Sequence, residues 1–360
     1  MHEAARRGDM ATRNDVARLA GVSVAVVSYV LNNKSFVKEE TRRKVLAAME
    51  ELGYTPNLTA RSLKTRRSGQ LAVLTNFIGN PFEAGILLHL EEAARWKGYM
   101  IAYRSYDPDR EPELLAQLAG RVDGIILLGQ SLAEATLASF RKKEIPLVSV
   151  MSPGQPCSHI HTVDLDWTAA YRQVAAELVR LGHRHIAYMG HGCPSGPLYP
   201  RMGAFAAAVR EAEAAAAVTL RCDWLALAVE GRYESAREHL LKLAAEPGFT
   251  ALVCANDLTA IGACSACRER GWTVPGRLSI VSSENILMVS ETHPPIATLD
   301  YPRQKAAHQA MELLIRLIEE PGHKEASGSG EAEAGAVAEE IRLPATFIPR
   351  SSLAQAPQVP

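Results

Sequence analysis

Short apolar runs alternate with amphipathic helical stretches along most of the chain, and this alternation restricts the fold more than any other feature. A short apolar run predicts a buried strand, whereas apolar positions three and four residues apart predict a helix with one buried face. Repeated strand–helix–strand units predict mostly parallel sheets with helices on both faces. The predicted strands are Gln70–Thr75, Met100–Arg104, Gly124–Leu128, Leu147–Val150, Ile186–Met189, Leu225–Ala228, Ala251–Ala255 and Leu278–Ser282.

The alternation restarts after Val163, which predicts two similar doubly wound α/β lobes. Ligands of such sheets bind at the carboxyl ends of the strands, so we expect a ligand cleft between the lobes. Farther on, the pattern predicts a strand at Ile296–Leu299, a long helix at Gln304–Glu319 and a last strand at Ile341–Ile348. Residues 321–340 are poor in large apolar side chains and are predicted to form a flexible insertion.

A different pattern precedes the first lobe. An amphipathic helix at Arg13–Ala20 and a second one at Val24–Asn32 are separated by the turn Gly21-Val22-Ser23, and a basic stretch follows at residues 61–67. This order of parts is typical of a helix-turn-helix DNA-binding head. The apolar side chains predicted to be buried are Val16, Leu19, Ala20, Val27, Val30 and Leu31.

Basic residues are concentrated at the same end of the chain. Residues 1–67 contain 13 Lys and Arg against 7 Asp and Glu, a balance of +6, whereas residues 68–360 contain 26 against 33, a balance of −7. A polyanion such as DNA would therefore be attracted to one end only. The alternative is that this end is simply a well-solvated charged helical domain.

Length and composition limit the remaining possibilities. A chain of 360 residues is long enough for two or three domains. It has no apolar run of the roughly 20 residues that span a bilayer and begins without the apolar stretch of a signal peptide, so we expect a cytoplasmic protein with no membrane partner. The spacing of Cys264 and Cys267 is that of a redox or metal pair, but the surrounding pattern is helical and favours packing. We likewise expect structural roles for His183 and His185, and no catalytic residue, metal or cofactor.

Several motifs together resemble the LacI/GalR family of bacterial transcription regulators, and the resemblance covers about residues 12–352. They comprise residues 14–23, 27–28, 30–32, 50–57 and 60–63 in the head and hinge, and residues 121–126, 181–187, 256–257, 343–344 and 350–351 in the body. The resemblance implies a helix-turn-helix head, a hinge helix and a core like a periplasmic sugar-binding protein. It also implies a homodimer that binds double-stranded DNA at a pseudopalindromic operator, with repression as the outcome.

By position in this family, Val24, Ala25 and Tyr29 would read base edges in the major groove. The residues implied to contact backbone phosphates are Ser23, Ser28 and Asn32. The chain departs from the common pattern because Val26 stands where a threonine is usual and Tyr29 where an arginine is usual. Apolar contact to thymine methyl groups would replace contact to guanine. A role for Val24 as a core residue remains open at this point.

The resemblance also implies a hinge helix over residues 57–64, capped by Asn57 and carrying Ala60 and Leu63 on one face. Leu63 would insert into the minor groove and kink the DNA, and Arg61 would contact it. A segment this short does not hold helical structure alone in water. We therefore expect the hinge to order only on DNA, which would let the cleft control DNA affinity.

The effector-binding residues implied by the resemblance follow the strand ends and suit a sugar or a related polar metabolite. They are Asn80, Phe82, Asp166, Arg201, Asn256 and Glu284, and Glu83 joins them where a second aromatic residue is usual. If Glu83 faces the cleft, its carboxylate and that of Glu284 near Arg201 would favour a polyol or a cation over an anion or a purine. Alternatively, Glu83 is simply an exposed residue in the first turn of a helix.

The predicted organisation is a disordered N-terminal extension over residues 1–11, a helix-turn-helix domain over 12–56, a hinge over 57–68, a core over 69–352 and a tail over 353–360. The first lobe is predicted to contain residues 69–163 and 294–325, and the second residues 164–293 and 341–352. An enzyme or a solute-binding protein of similar core remains an alternative. The hypothesis of an enzyme is disfavoured because the chain has no Gly-x-Gly-x-x-Gly, phosphate-loop or Gly-x-Ser-x-Gly motif.

Overall fold

The chain folds into two compact units, Met1–Ser68 and Gly69–Pro360. The computed structural model describes residues 11–31, 34–55, 67–75, 77–152, 160–190, 200–227, 232–243, 247–320 and 338–357. Several predicted features lie outside the described residues. These are Asn32, the hinge residues Asn57, Ala60, Arg61 and Leu63, residues 1–10 of the extension, residues 321–337 of the insertion and residues 358–360 of the tail.

In its described residues the first unit contains three helices, α1 (Arg13–Ala20), α2 (Val24–Leu31) and α3 (Glu39–Glu51). The side chain of Thr12 accepts a hydrogen bond from the Asp15 amide, and the Asp15 carboxylate accepts one from the Thr12 amide, so a capping box begins α1. Gly21 ends α1 with φ of 65°, a conformation that glycine adopts without strain. α1 and α2 then meet at 104°.

The core of this unit consists of apolar side chains from all three helices: Val16, Ala17, Val27, Val30, Val45 and Ala48. Leu19, predicted to be buried, is 45% exposed. Ala17 takes its place, because the buried face of α1 is centred on adjacent Val16 and Ala17. Among the described helices of the whole chain, none alone has the length and apolar character to cross a bilayer, although α1 and α2 together pass that test as a bent pair.

The second unit begins with a six-stranded parallel sheet in the order β11-β5-β4-β3-β1-β2. Alternate residues of β1 face opposite sides, since Leu71 and Val73 belong to one apolar cluster and Ala72 and Leu74 to another. The strands are β1 (Gln70–Thr75), β2 (Met100–Ser105), β3 (Gly124–Leu128), β4 (Leu147–Val150), β5 (His161–Leu165) and β11 (Glu340–Leu343). The helices that cover this sheet are α4 (Pro81–Trp96), α5 (Glu111–Leu118), α6 (Glu134–Lys142) and α12 (Arg303–Glu319).

A second six-stranded sheet has the order β12-β10-β9-β8-β6-β7, in which only the edge pair of β12 and β10 is antiparallel. Its strands are β6 (His185–Gly190), β7 (Arg221–Ala226), β8 (Ala251–Cys254), β9 (Ser279–Ser282), β10 (Ala297–Asp300) and β12 (Thr346–Ile348). Its helices are α7 (Trp167–Arg180), α8 (Pro200–Ala216), α9 (Tyr233–Leu241), α10 (Asp257–Glu269) and the short α11 (Leu287–Glu291). The two sheets confirm the predicted fold class, a helical head followed by two doubly wound α/β lobes.

The lobe boundaries predicted from the sequence were wrong in their C-terminal parts. β10, assigned to the first lobe, pairs with β9 of the second sheet, and β11, assigned to the second lobe, pairs with β5 of the first. The single strand predicted at residues 341–348 is two strands in different sheets, separated at Pro344, which has no backbone N–H to donate. The chain therefore passes between the sheets three times, after Leu165, Asp300 and Leu343.

Candidate functional site

The exposed face of α2 carries the side chains predicted to read DNA bases. Val24 is 39% exposed and Tyr29 41%, and Ala25 is also exposed, whereas Val27 and Val30 point into the core. Val24 is therefore not a core residue in this structure. A helix that buries one apolar face and exposes small and aromatic side chains on the other has the form needed to enter a major groove.

The serines predicted to contact phosphates differ in their surroundings. Ser23 is exposed, and its hydroxyl accepts a hydrogen bond of 3.4 Å from the Val26 amide at the start of α2. Ser28 is half-buried, and its hydroxyl accepts a hydrogen bond of 3.2 Å from the Arg13 guanidinium. A phosphate that approached Ser28 would therefore also meet the positive charge of Arg13.

The predicted effector residues of the second unit lie where strands end, but three of them also cap helices. Asn80, Asp166 and Asn256 accept hydrogen bonds from the amides of the helices α4, α7 and α10. Each cap uses one side-chain oxygen and holds the side chain at the end of its strand. These caps position the residues and leave the second polar atom of each side chain for another partner.

Phe82 does not line the cleft. Its side chain is 1% exposed and packs edge-on against Tyr301, with ring centroids 5.1 Å apart. The open aromatic face predicted for Phe82 is therefore covered by the core. Further aromatic residues, not predicted from the sequence, face arginines: Trp167 faces the Arg201 guanidinium at 4.1 Å, and the half-exposed ring of Phe77 faces Arg232 at 5.2 Å.

Arg201 connects the two lobes. Its Nη1 donates a hydrogen bond of 2.7 Å to the Ala255 carbonyl oxygen beyond β8, and its Nη2 lies 3.6 Å from the Met151 sulfur beyond β4. The same guanidinium lies 3.6 Å from Oε1 of Glu284. Because residues of both lobes contact the Arg201 side chain, a ligand that binds Arg201 would interact with both lobes at once.

Glu284 is the most perturbed carboxyl group that faces Arg201. Burial raises the pKa of Glu284 to about 8, and the charges of Asp257 and Glu83 act in the same direction, while Arg201 lowers it. Burial also raises the pKa of Asp257, whose carboxylate accepts hydrogen bonds from the Ile286 amide at 2.6 Å and the Glu284 amide at 3.2 Å. Asp257 thus holds the Glu284 loop in place, and Glu284 remains the group that can exchange a proton when a ligand binds.

Glu83 turns toward the end of β1 and is not a freely solvated residue of the first helical turn. Its carboxylate accepts hydrogen bonds from the Thr75 hydroxyl and from the Phe77 amide, the latter at 3.4 Å. Its charge also acts on Glu284. The structure therefore places this carboxylate on the cleft side, as one of the two interpretations of the sequence required.

Two further groups complete this cluster. Burial raises the pKa of Asp164 to about 6, while its carboxylate accepts a hydrogen bond of 3.1 Å from the Trp167 indole. The Tyr301 hydroxyl is buried and has no hydrogen-bond partner within the part of the chain that the structure describes. Burial raises the pKa of Tyr301, and the charges of Asp164, Arg201 and Glu284 all act on it.

Cysteines and histidines elsewhere in the second unit are engaged in packing. Burial raises the pKa of the Cys264 and Cys267 thiols to about 12, so both remain protonated. The buried His183 ring bonds to the Thr250 hydroxyl at 2.8 Å and to the Ala354 carbonyl at 3.1 Å, which ties the C-terminal segment to β8. No group of three His, Cys, Asp or Glu side chains is arranged to hold a metal ion in the described ranges.

Both units are similar to known protein families. Residues 12–57 match the family model of bacterial regulatory proteins, lacI family, and residues 175–353 match the periplasmic binding protein-like domain. The chain is 32% identical over 329 residues to the HTH-type transcriptional repressor PurR of Aliivibrio salmonicida, covering 88% of this chain and 94% of that protein. The chain belongs to the lacI family of bacterial regulatory proteins. This confirms the resemblance inferred from the sequence motifs.

Solved structures agree with the family assignment. A lacI-family transcriptional regulator from Silicibacter pomeroyi is 26% identical, with a TM-score of 0.67 and coverage of 95% of this chain and 98% of that chain. The lac repressor dimer bound to operator and the anti-inducer ONPF is 24% identical, with a TM-score of 0.75 and coverage of 96% and 99%. At that identity the likeness shows the shared fold. This lacI-family protein is thus a transcription regulator with a DNA-binding head and a periplasmic-binding-protein-like body.

Proposed function

We propose that this lacI-family protein is a repressor that binds a pseudopalindromic operator as a homodimer and changes its DNA affinity when a small polar effector occupies the cleft. The observation that carries the proposal is the exposed face of α2, where Val24, Ala25 and Tyr29 are free of the core in a basic head. One head reads only a few base pairs, so two heads related by a dyad are needed for useful specificity. Because the proposed partner is chromosomal DNA, we place the protein in the cytoplasm.

An exposed apolar surface of the second unit supports the homodimer. Trp96 is 82% exposed at the end of α4, and Met100 and Leu88 are each two-thirds exposed on β2 and α4. Leu287 is likewise exposed on α11 of the other lobe. Large exposed apolar side chains are typical of contact surfaces, and a second copy of the chain is the partner that operator symmetry requires. Replacing Trp96 with Glu should shift the protein from dimer to monomer in sedimentation equilibrium, whereas Trp224→Phe, at a partly buried position, should leave the dimer intact.

The charges of the cleft support a neutral polyol, a sugar or a cation as the effector. Arg201 interacts with the carboxyl groups of Glu284 and Asp164, and the charge of Glu83 acts on Glu284. An anion that paired with Arg201 would favour the protonated form of Glu284, whereas a ligand hydroxyl or ammonium group would donate hydrogen bonds to its carboxyl oxygens. The comparisons include a regulator solved with cellobiose, which is a neutral polyol of this kind.

Effector binding is also predicted to change the number of protons bound to Glu284. The pKa of Glu284 is about 8 in the free protein, so most of this group is protonated at pH 7. A cationic ligand favours the ionised form and would release protons on binding, whereas an anionic ligand would not. Isothermal titration in two buffers of different ionisation enthalpy measures this proton count.

The hinge completes the proposal. Asn57, Ala60, Arg61 and Leu63 stand as predictions for the hinge and the minor groove, with Leu63 entering that groove. Movement of the lobes about Arg201 would change the spacing of the two hinges, and this spacing is our proposed link between effector and DNA.

Selection from a random duplex library followed by electrophoretic mobility shift tests the proposed function. We expect one enriched site with internal dyad symmetry, bound by the dimer. Titration of sugars, polyamines and carboxylic acids then tests the effector class, with the exposed Glu291→Gln as the matched control for Glu284→Gln. Recovery of no preferred sequence, or tight binding of anions only, would contradict the operator and the effector parts respectively.

A further inference from the structure

The head exposes two aromatic rings that touch each other and lie outside its core. Phe36, in the turn between α2 and α3, is 68% exposed, and Tyr29 is 41% exposed on α2. Their ring centroids are 5.1 Å apart and their planes meet at 73°. The turn is held by the Lys34 amide, which donates a hydrogen bond of 3.0 Å to the Tyr29 carbonyl oxygen. The rings therefore form one apolar surface with a defined geometry, which we name the Tyr29–Phe36 pair.

Cationic side chains contact residues that are close to both rings in the chain. Next to Tyr29, the Arg13 guanidinium reaches Ser28 at 3.2 Å. Beyond Phe36, Arg42 donates a hydrogen bond of 3.0 Å to the Lys34 carbonyl oxygen, and the Lys34 side chain itself is exposed. Arg42 also pairs with the Glu39 carboxylate at 3.8 Å. An exposed apolar surface in a part of the head that also carries cations suits a groove whose edges are phosphates and whose floor is made of bases.

The apolar group on the floor of the major groove is the 5-methyl group of thymine. Neither ring of the Tyr29–Phe36 pair can form the bidentate hydrogen bonds that read guanine, and Phe36 has no hydrogen-bonding group in its side chain. A ring that packs against a methyl group removes both from water, and this contact discriminates thymine from cytosine and from uracil.

We propose that the Tyr29–Phe36 pair reads the 5-methyl group of thymine in each operator half-site, and that Phe36 is a specificity-determining residue alongside α2. This inference rests on the proposed operator binding. Removing one methyl group from water contributes about 0.8 kcal/mol. That free energy corresponds to about a fourfold change in Kd.

The test uses the selected operator with each thymine replaced singly by uracil, which deletes one methyl group and changes nothing in the protein. Fluorescence anisotropy with the full-length chain should show about fourfold weaker binding at one or two positions of each half-site, and no change elsewhere. In Phe36→Ala the thymine-to-uracil difference at those positions should disappear, whereas Phe36→Leu should retain part of it. Leu46→Ala, which removes a half-exposed apolar side chain from α3, is the matched control and should keep the full difference.

The dependence of Kd on salt separates a lost methyl contact from a damaged head. Phe36→Ala removes no charge, so its slope of log Kd against log salt should equal that of the wild type. The inference is overturned if no uracil substitution weakens binding, or if the methyl dependence in Phe36→Ala equals that of the wild type. Equal affinity for the selected and random duplexes would instead refute the proposed operator binding itself.

Discussion

Glu284 is expected to make the second unit less stable as the pH rises. The pKa of this carboxyl group is raised by burial from an ordinary value of 4.5 to about 8. Below the lower of these values the group is protonated in both the folded and the unfolded chain. Between the two values the unfolded chain has released the proton while the folded chain retains it, so the free energy of unfolding falls with increasing pH. The full difference between the two pKa values corresponds to about 5 kcal/mol, and relaxation around the ionised group reduces this to about 2–5 kcal/mol.

The variant Glu284→Gln keeps the shape of the side chain and removes its titration. At pH 8.5 we expect the variant to be more stable than the wild type by about 2–5 kcal/mol, and at pH 4.5 the two should agree within about 1 kcal/mol. Urea unfolding followed by tryptophan fluorescence measures both values. The buried groups Asp257 and Asp164 also have raised pKa values and give slopes of the same sign, so the difference between the two proteins isolates Glu284.

Glu291→Gln, at an exposed position of α11, is the control and should follow the wild-type curve at every pH. A constant difference between Glu284→Gln and the wild type across this pH range would refute the reasoning. It would mean that Glu284 is ionised in the folded protein and paired with Arg201 throughout.

Three further predictions concern single side chains. Arg201→Lys loses the planar contact with Trp167 and the contact with the Met151 sulfur, so effector affinity measured by calorimetry should fall at least tenfold. An unchanged Kd would show that Arg201 does not bind the effector. Tyr301→Phe deletes a buried hydroxyl that has no hydrogen-bond partner in the described residues, so the melting temperature should stay the same or rise while effector affinity falls. A clear loss of stability would show that the hydroxyl forms a hydrogen bond. Thr12→Ala removes the capping box of α1, and hydrogen exchange should report about 1 kcal/mol lower stability in the head alone, because the head is a compact unit of its own. An equal loss of stability in the second unit would contradict this.

Periodicity predicted most elements of the fold because the strands of both sheets are short and apolar. The strand at His161–Leu165 was missed because His161, Thr162 and Asp164 interrupt its apolar pattern, although it lies inside the first sheet. The exchange of β10 and β11 between lobes was also missed. Both strands pair with segments far away in the chain, and local pattern carries no information about such partners.

The candidate cleft was predictable in its location but not in its chemistry. The rule that ligands bind at the carboxyl ends of parallel strands directs attention to Asp166, Asn256 and Glu284. The same rule also applies to Trp167 and Tyr301, which follow β5 and β10, but the missed strand and the misassigned strand hid them. Burial decides the pKa of Glu284 and the covered position of Phe82, and burial depends on the packing of both lobes.

The central claim is that occupancy of the cleft and binding of a specific operator are coupled. The most direct measurement is the Kd of the full-length dimer for its selected operator by fluorescence anisotropy, with and without saturating effector, together with the Kd of the effector with and without operator. Coupling requires that both constants change by the same factor, and we expect a factor of roughly 5 to 150. An operator Kd that is the same at every effector concentration, or the same as that of a scrambled duplex, would contradict the claim.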